Sequence, residues 1–151
     1  MDFSATHRRG TGCRRIYDNK GTAFLVRKMI KADEAAVCKV CLRTGDAGKD
    51  ASSHFIDGML LGRRWVLPYF EHNPSLSLVL EEEAKGSVVG YALGCLDTNA
   101  FEVWMQSDYL PRMRKLYPLE GRKKVEGDFK DEEVVLRLQI SSALDFWGCV
   151  R

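Results

Sequence analysis

The chain lacks any apolar run near the roughly 18 to 20 residues that span a bilayer, and its N-terminus combines an early acid, Asp2, with no apolar signal core. A soluble, cytosolic protein is the expectation, with no membrane role. A dominant charge is also missing: 23 Lys+Arg stand against 21 Asp+Glu, for a net charge of +2. No whole-chain field exists to recruit nucleic acid or an anionic membrane. The five cysteines (Cys13, Cys38, Cys41, Cys95, Cys149) are odd in number and scattered through apolar pattern, which excludes a disulfide framework and fits reduced thiols. A zinc site lacks its ligands, because Cys38 and Cys41 have no second cysteine pair and His54 and His72 fall in other segments. The pair reads as small core residues on a helix. No Ser/His/Asp or Cys/His spacing supports nucleophilic catalysis, and no internal repeat is present. No metal is therefore expected.

What remains is a 151-residue chain with 45% hydrophobic residues, enough for one domain with a core and too short for two ordinary ones. Residues 1–20 carry Arg8, Arg9, Arg14, Arg15 and Lys20 against Asp2 and Asp18 and read as a basic, mobile leader. A transit peptide is the competing reading, opposed by Asp2 and the scarcity of hydroxyl residues. Residues 23–29 form a short apolar run of strand length. Over 32–43 the acids Asp33 and Glu34 open a helical pattern through Ala36, Val37, Val40 and Cys41, with Gly45 in C-cap position.

The aromatic-rich 46–73 stretch is expected to hold one or two helical pieces. Residues 75–82 and 87–97 flank a polar turn at 83–86 and carry the pattern of a hairpin. Residues 101–117 read as one or two helices, with Pro111 able to start the second. A charged loop follows over 120–130, then a helix over 131–138. The domain is expected over 21–138, with an irregular tail at 139–151. The basic group Arg112, Arg114, Lys115, Arg122, Lys123 and Lys124 lies among Glu120 and Glu126 and reads as a solvated face, so no nucleic-acid groove is expected.

Several phrases occur in a telling order. Leu42-Arg43-Thr44-Gly45-Asp46-Ala47-Gly48 follows the first helix, Leu78-Val79-Leu80-Glu81-Glu82 forms one strand, and Val89-Gly90-Tyr91-Ala92-Leu93-Gly94 with Asp97 forms the next. Together these resemble the first half of a GNAT-type N-acetyltransferase domain, over roughly residues 24–138. Phe101, Trp104, Leu110-Pro111 and Leu116-Tyr117-Pro118 narrow the resemblance to the subgroup similar to the acetyltransferase-like domain of animal O-GlcNAcase. The implied fold is α/β with a mixed sheet, a partial GNAT fold. It has about three strands, a helical stretch between strands 1 and 2, and helices after strand 3.

The resemblance also implies acetyl-CoA as cofactor and an amine as acceptor. In that family a Gln/Arg-x-x-Gly-x-Gly/Ala turn at a helix N-terminus holds the pyrophosphate, and no such motif follows residues 87–97, so no cofactor-binding residue is assigned. The expectation is a half domain truncated before that motif, as a fragment or a spliced product. His7-Arg8-Arg9-Gly10-Thr11-Gly12 approximates the motif but has no room for a preceding strand.

Acetyl transfer to an amine needs a base, an oxyanion partner and an acid for the leaving thiolate. Asp97, at the end of the strand bordering the implied cleft, is the candidate catalytic base; the competing reading is a strand-end cap or a partner for a nearby N–H. Asp46 and Asp50, in the loop after the first helix, are candidates for binding a cationic substrate, and are also ordinary turn residues. The 87–97 strand is apolar on both faces, as a central strand would be. A half domain would leave one edge of it unpaired and favour a second copy or a partner chain there.

Overall fold

The alternation on either side of the polar 83–86 turn forms a hairpin in the computed structural model, which describes residues 12–119 and 130–140. Strands β3 (Leu78–Glu82) and β4 (Ser87–Ala92) pair antiparallel, with Leu78 opposite Ala92 and Glu82 opposite Ser87. Gly86 closes the turn at φ 61°, a conformation that costs glycine least. The register shifts between Leu80 and Glu81, which leaves Val89 as the extra residue of a β-bulge. Strand β4 ends at Ala92, short of the expected Asp97.

Strand β2 (Ala23–Lys28) lies against β3, as the apolar run at 23–29 predicts. A further strand, β1 (Arg14–Tyr17), pairs with β2 and makes the sheet four-stranded, in the order β1-β2-β3-β4 and antiparallel throughout. The sheet thus has one strand beyond the three or so expected, and residues 14–17 of the expected leader form it. The Asp18 carboxylate accepts the N–H groups of Lys20 and Thr22 at 2.9 and 2.8 Å, and Gly21 takes φ 81°. These local bonds close a hairpin that hydrophobic pattern does not announce, because all four β1 residues are exposed.

Helix α1 (Glu34–Arg43) follows a 3₁₀ turn over Lys31–Asp33 and buries Val37, Cys38, Cys41 and Leu42. It packs on the sheet together with Met29 and Val79. Two short helices come next, α2 (Leu60–Trp65) and α3 (Leu67–His72). Pro68 lacks the N–H that would continue α2, so the chain breaks there. Helix α4 (Thr98–Trp104) runs through a π turn at Met105–Tyr109 into α5 (Leu110–Leu116). Pro111 stands in the first turn of α5, where its missing N–H costs least, as its place in the sequence suggests. Helix α6 (Asp131–Ile140) returns against α2 and α5.

Two apolar clusters result. One joins the sheet, α1, α2 and the start of α3; the other joins Leu60 of α2 with Phe101, Met105, Tyr109, Leu110 and Met113 and with Val135 and Leu138 of α6. Phe55, Trp65 and Val134 touch both. At the crossing of α1 and α2, a Cβ on Gly62 would lie 2.2 Å from Cys38 Sγ, so glycine sets how closely the helices approach. The expectations for residues 1–11, 120–129 and 141–151 lie outside the described residues.

Candidate functional site

Strand β4 is the far edge of the described sheet and pairs only with β3 among the described residues. In an antiparallel ladder, alternate N–H and C=O groups of an edge strand point away from its neighbour. Its residues, Ser87-Val88-Val89-Gly90-Tyr91-Ala92, include none of the charges or prolines that usually guard such an edge, whereas β1 at the opposite edge carries Arg14 and Arg15. Ser87, Val89 and Ala92 are exposed, so among the described residues β4 is not buried on both faces as its composition suggests.

Tyr91 packs against the apolar cluster that joins α1 to the sheet. Burial raises the Tyr91 hydroxyl, and it raises the Cys41 thiol as well, with Tyr91 opposing. Burial pushes Cys38 up to about 12. Both thiols are protonated at neutral pH and act as core residues, not nucleophiles. No group of three or more His, Cys, Asp or Glu side chains among the described residues is arranged to hold a metal.

The three candidate acids occupy two places. Asp97 heads α4: its Oδ1 accepts the Ala100 N–H at 2.9 Å, and the residue is exposed. Asp46 and Asp50 share the loop leaving α1. Asp46 exchanges backbone hydrogen bonds with Lys49 at 3.1 and 2.8 Å around Ala47 and Gly48, both at positive φ. The Asp50 carboxylate accepts the Ser52 N–H at 2.8 Å and lies 3.8 Å from Arg43. Hydrogen bonds from Ser52, its hydroxyl foremost, hold the Asp50 pKa below the usual value. Among the described residues no hydrogen bond or ion pair joins Asp97 to Asp46 or Asp50. What Asp97 does in this geometry is cap a helix; its exposure also leaves it able to accept a hydrogen bond from an ammonium group.

A pyrophosphate cradle would need a helix start with free N–H groups facing an anion. The start of α4, which follows β4, carries the Asp97 carboxylate on one of those groups, and like charge opposes a phosphate there. The start of α4 does not fit that part of acetyl-CoA.

Two polar groupings escaped sequence reasoning. Arg27, Asp33 and Glu81 form a buried cluster between β2, β3 and the turn into α1. Arg27 donates to Asp33 through Nη1 and Nη2 at 2.7 and 2.9 Å and to Glu81 through Nε at 2.8 Å. These carboxylates, Asp33 foremost, raise the guanidinium above its ordinary value. The Tyr117 hydroxyl donates to Asp57 at 2.6 Å and accepts from Arg63 at 2.5 Å, and burial pushes it up to about 12. Asp131 accepts the N–H groups of Ile56 and Asp57, both at 2.9 Å, and so fastens α6 to the same loop. The defining pairs, Arg27 with Glu81 and Arg63 with Tyr117, are each 54 positions apart. Neither grouping therefore gives a local signal, apart from the acid opening α6.

His72 lies at the end of α3 with its ring against Phe101 and Trp104, rather than in a loop. Arg112 pairs with Glu71 and Asp108, and Arg114 donates to the Leu138 carbonyl, so these cations serve the fold.

No family model matches the chain. Among solved structures it is similar to SsHAT, an acetyltransferase, at 33% identity and a TM-score of 0.63, with the match covering 78% of this chain and 56% of SsHAT. The chain therefore has an acetyltransferase-like fold, a mixed α/β arrangement consistent with a partial GNAT-like domain. It spans little more than half the length of that relative. No described helix is long and apolar enough to cross a membrane.

Proposed function

We propose that the chain is part of an acetyl-CoA-dependent N-acetyltransferase of the GNAT type, in the subgroup similar to the acetyltransferase-like domain of animal O-GlcNAcase. The observation that carries this reading is the likeness to SsHAT at 33% identity over most of the chain. The subgroup rests on Phe101, Trp104 and the Leu110-Pro111 and Leu116-Tyr117-Pro118 phrases. In this reading the loop with Asp46 and Asp50 attracts a cationic amine, and Asp97 takes a proton from it. In this reading the start of α4 does not hold the cofactor pyrophosphate, because Asp97 already caps it.

Isothermal titration of the purified chain with acetyl-CoA tests the enzyme reading directly. Saturable heat supports it, and no heat at millimolar acetyl-CoA refutes cofactor binding by this chain alone. The unguarded β4 edge favours a second reading, a non-catalytic module that another chain completes. Amide exchange on Val88 to Tyr91 reports on that edge: protection gained on adding a partner supports completion, and unchanged exchange with every partner opposes it.

A further inference from the structure

The loop that carries Asp46 and Asp50 continues into a single 3₁₀ turn over Ser52–His54, and so short a turn has poor hydrogen-bond geometry and little stability of its own. Its two ends are fastened from outside. At the start, Ala51 is 1% exposed and its N–H donates to the Leu42 carbonyl of α1 at 3.0 Å. At the end, the His54 carbonyl accepts the Lys130 N–H at 2.8 Å. Two further N–H groups of the loop then go to one carboxylate, Ile56 to Oδ2 and Asp57 to Oδ1 of Asp131. Asp131 is 7% exposed, and breaking such a pair of bonds leaves a buried carboxylate without donors, which is costly. It stands at the head of α6, where the positive helix end favours its charge.

Asp50 is tied to the same turn. Its carboxylate accepts the Ser52 N–H, and Ser52 opens the turn that His54 closes. A continuous path of bonded groups thus runs from Asp131 through the 54–57 backbone and the Ser52–His54 turn to Asp50, and contiguous paths of this kind are what carry coupling between distant elements. We propose that Asp131 is a positioning residue for the amine site: from the head of α6 it fixes the Ser52–His54 turn, and through Ser52 it orients the Asp50 carboxylate. This rests on the reading of the Asp46 and Asp50 loop as the place of a cationic amine, and it adds what holds one of those acids ready. The lowered Asp50 pKa, owed first to the Ser52 hydroxyl and N–H, supplies a readout. Arg43, 3.8 Å away, lowers it less and stands on α1, off this path.

The test is NMR on the full chain, following amide exchange at Ile56 and Asp57 and titration of the Asp50 carboxyl carbon in wild type and in Asp131→Ala. Exchange at both amides is expected to quicken at least tenfold through local opening, and the Asp50 pKa to rise toward the usual carboxylate value. Asp131→Asn keeps one acceptor oxygen and is expected to fall between wild type and alanine in both readouts. Should the alanine variant fail to fold, asparagine decides. Leu25→Ala in β2, a truncation of a buried residue off this path, controls for lost stability and is expected to leave Asp50 titrating as in wild type. The proposal is overturned if the two amides quicken while the Asp50 titration stays in place, since Asp131 then fastens the fold and nothing more. It is also overturned if exchange is unchanged, or if Leu25→Ala moves Asp50 as far as Asp131→Ala does. Neither readout uses acetyl-CoA or an amine. Failure of acetyl-CoA to bind therefore counts against the enzyme reading alone, and the failures named here count against the positioning alone.

Discussion

Replacing Arg27 by methionine tests what locks the sheet to the start of α1. The native guanidinium bridges Asp33 and Glu81, and all three residues are less than a tenth exposed. Each guanidinium–carboxylate contact has a gross attraction of about 4 kcal/mol at an effective dielectric constant near 20. Removing three ions from water costs several kcal/mol each, so the intact cluster contributes little net stability. The variant is different, because it keeps the stem volume and leaves two carboxylates buried without their shared cation. A loss of about 3–5 kcal/mol is expected, a large share of the roughly 5–15 kcal/mol available to a domain.

Urea unfolding at neutral pH, followed by tryptophan fluorescence, measures this loss. Acidification is expected to narrow the deficit of the single variant, since protonating a carboxyl removes the stranded charge. A triple variant, Arg27→Met with Asp33→Asn and Glu81→Leu, removes the charges together and is expected to recover most of the loss. The amide introduced at position 33 keeps an acceptor for the Ile30 N–H, which the native carboxylate holds at 2.9 Å. A single-variant loss below about 1 kcal/mol refutes the account, and so does a triple variant no more stable than the single one.

Gly62→Ala is expected to destabilise although alanine is the better helix former by about 1 kcal/mol, because the new Cβ would sit 2.8 Å from Cys38 Cα. Overpacking of about 1–3 kcal/mol outweighs the propensity gain, and adding Cys38→Ala recovers only part, since the backbone itself is too close; full recovery in thermal unfolding would refute this. Cys38 and Tyr117 are both raised in the fold, to about 12. Groups raised on folding contribute stability that is complete below their unfolded values and lost as pH climbs through the folded ones. The urea midpoint should therefore hold at neutral pH and fall from about pH 9 toward pH 12, with Tyr117→Phe flattening the upper part of the decline. Asp97→Ala should cost about 1 kcal/mol through the lost cap, whereas Asp97→Asn, another good cap, should cost only a few tenths; equal urea midpoints for the two variants would deny Asp97 that role.

Much of the candidate region was legible because its signals are local. The β3–β4 hairpin follows from apolar runs around a polar turn, α1 from helical spacing behind two acids, and α6 from the acids at 131–133 ahead of Val134, Val135 and Leu138. Strand β1 was missed because four exposed residues carry no burial pattern, and its evidence is the Asp18 turn that follows. Gly45 shows a subtler limit. Its place after α1 suggests a left-handed cap, yet the positive φ values fall on Ala47 and Gly48, and a Cβ on Gly45 would crowd Leu61 Cδ1 at 2.8 Å and the Cys41 carbonyl at 3.2 Å.

By itself the sequence determined the element types, the order of strands and helices from residue 23 onward, and the core placement of the Cys38–Cys41 pair, because periodicity and composition act within a few residues of each position. Tertiary structure alone decided that β1 forms the other edge of the described sheet, since its four exposed residues carry no burial pattern. It also decided that Asp97 caps α4 and that Asp33 faces Arg27 rather than solvent. Those outcomes depend on contacts between elements far apart in the chain, and no local pattern encodes the distance between them.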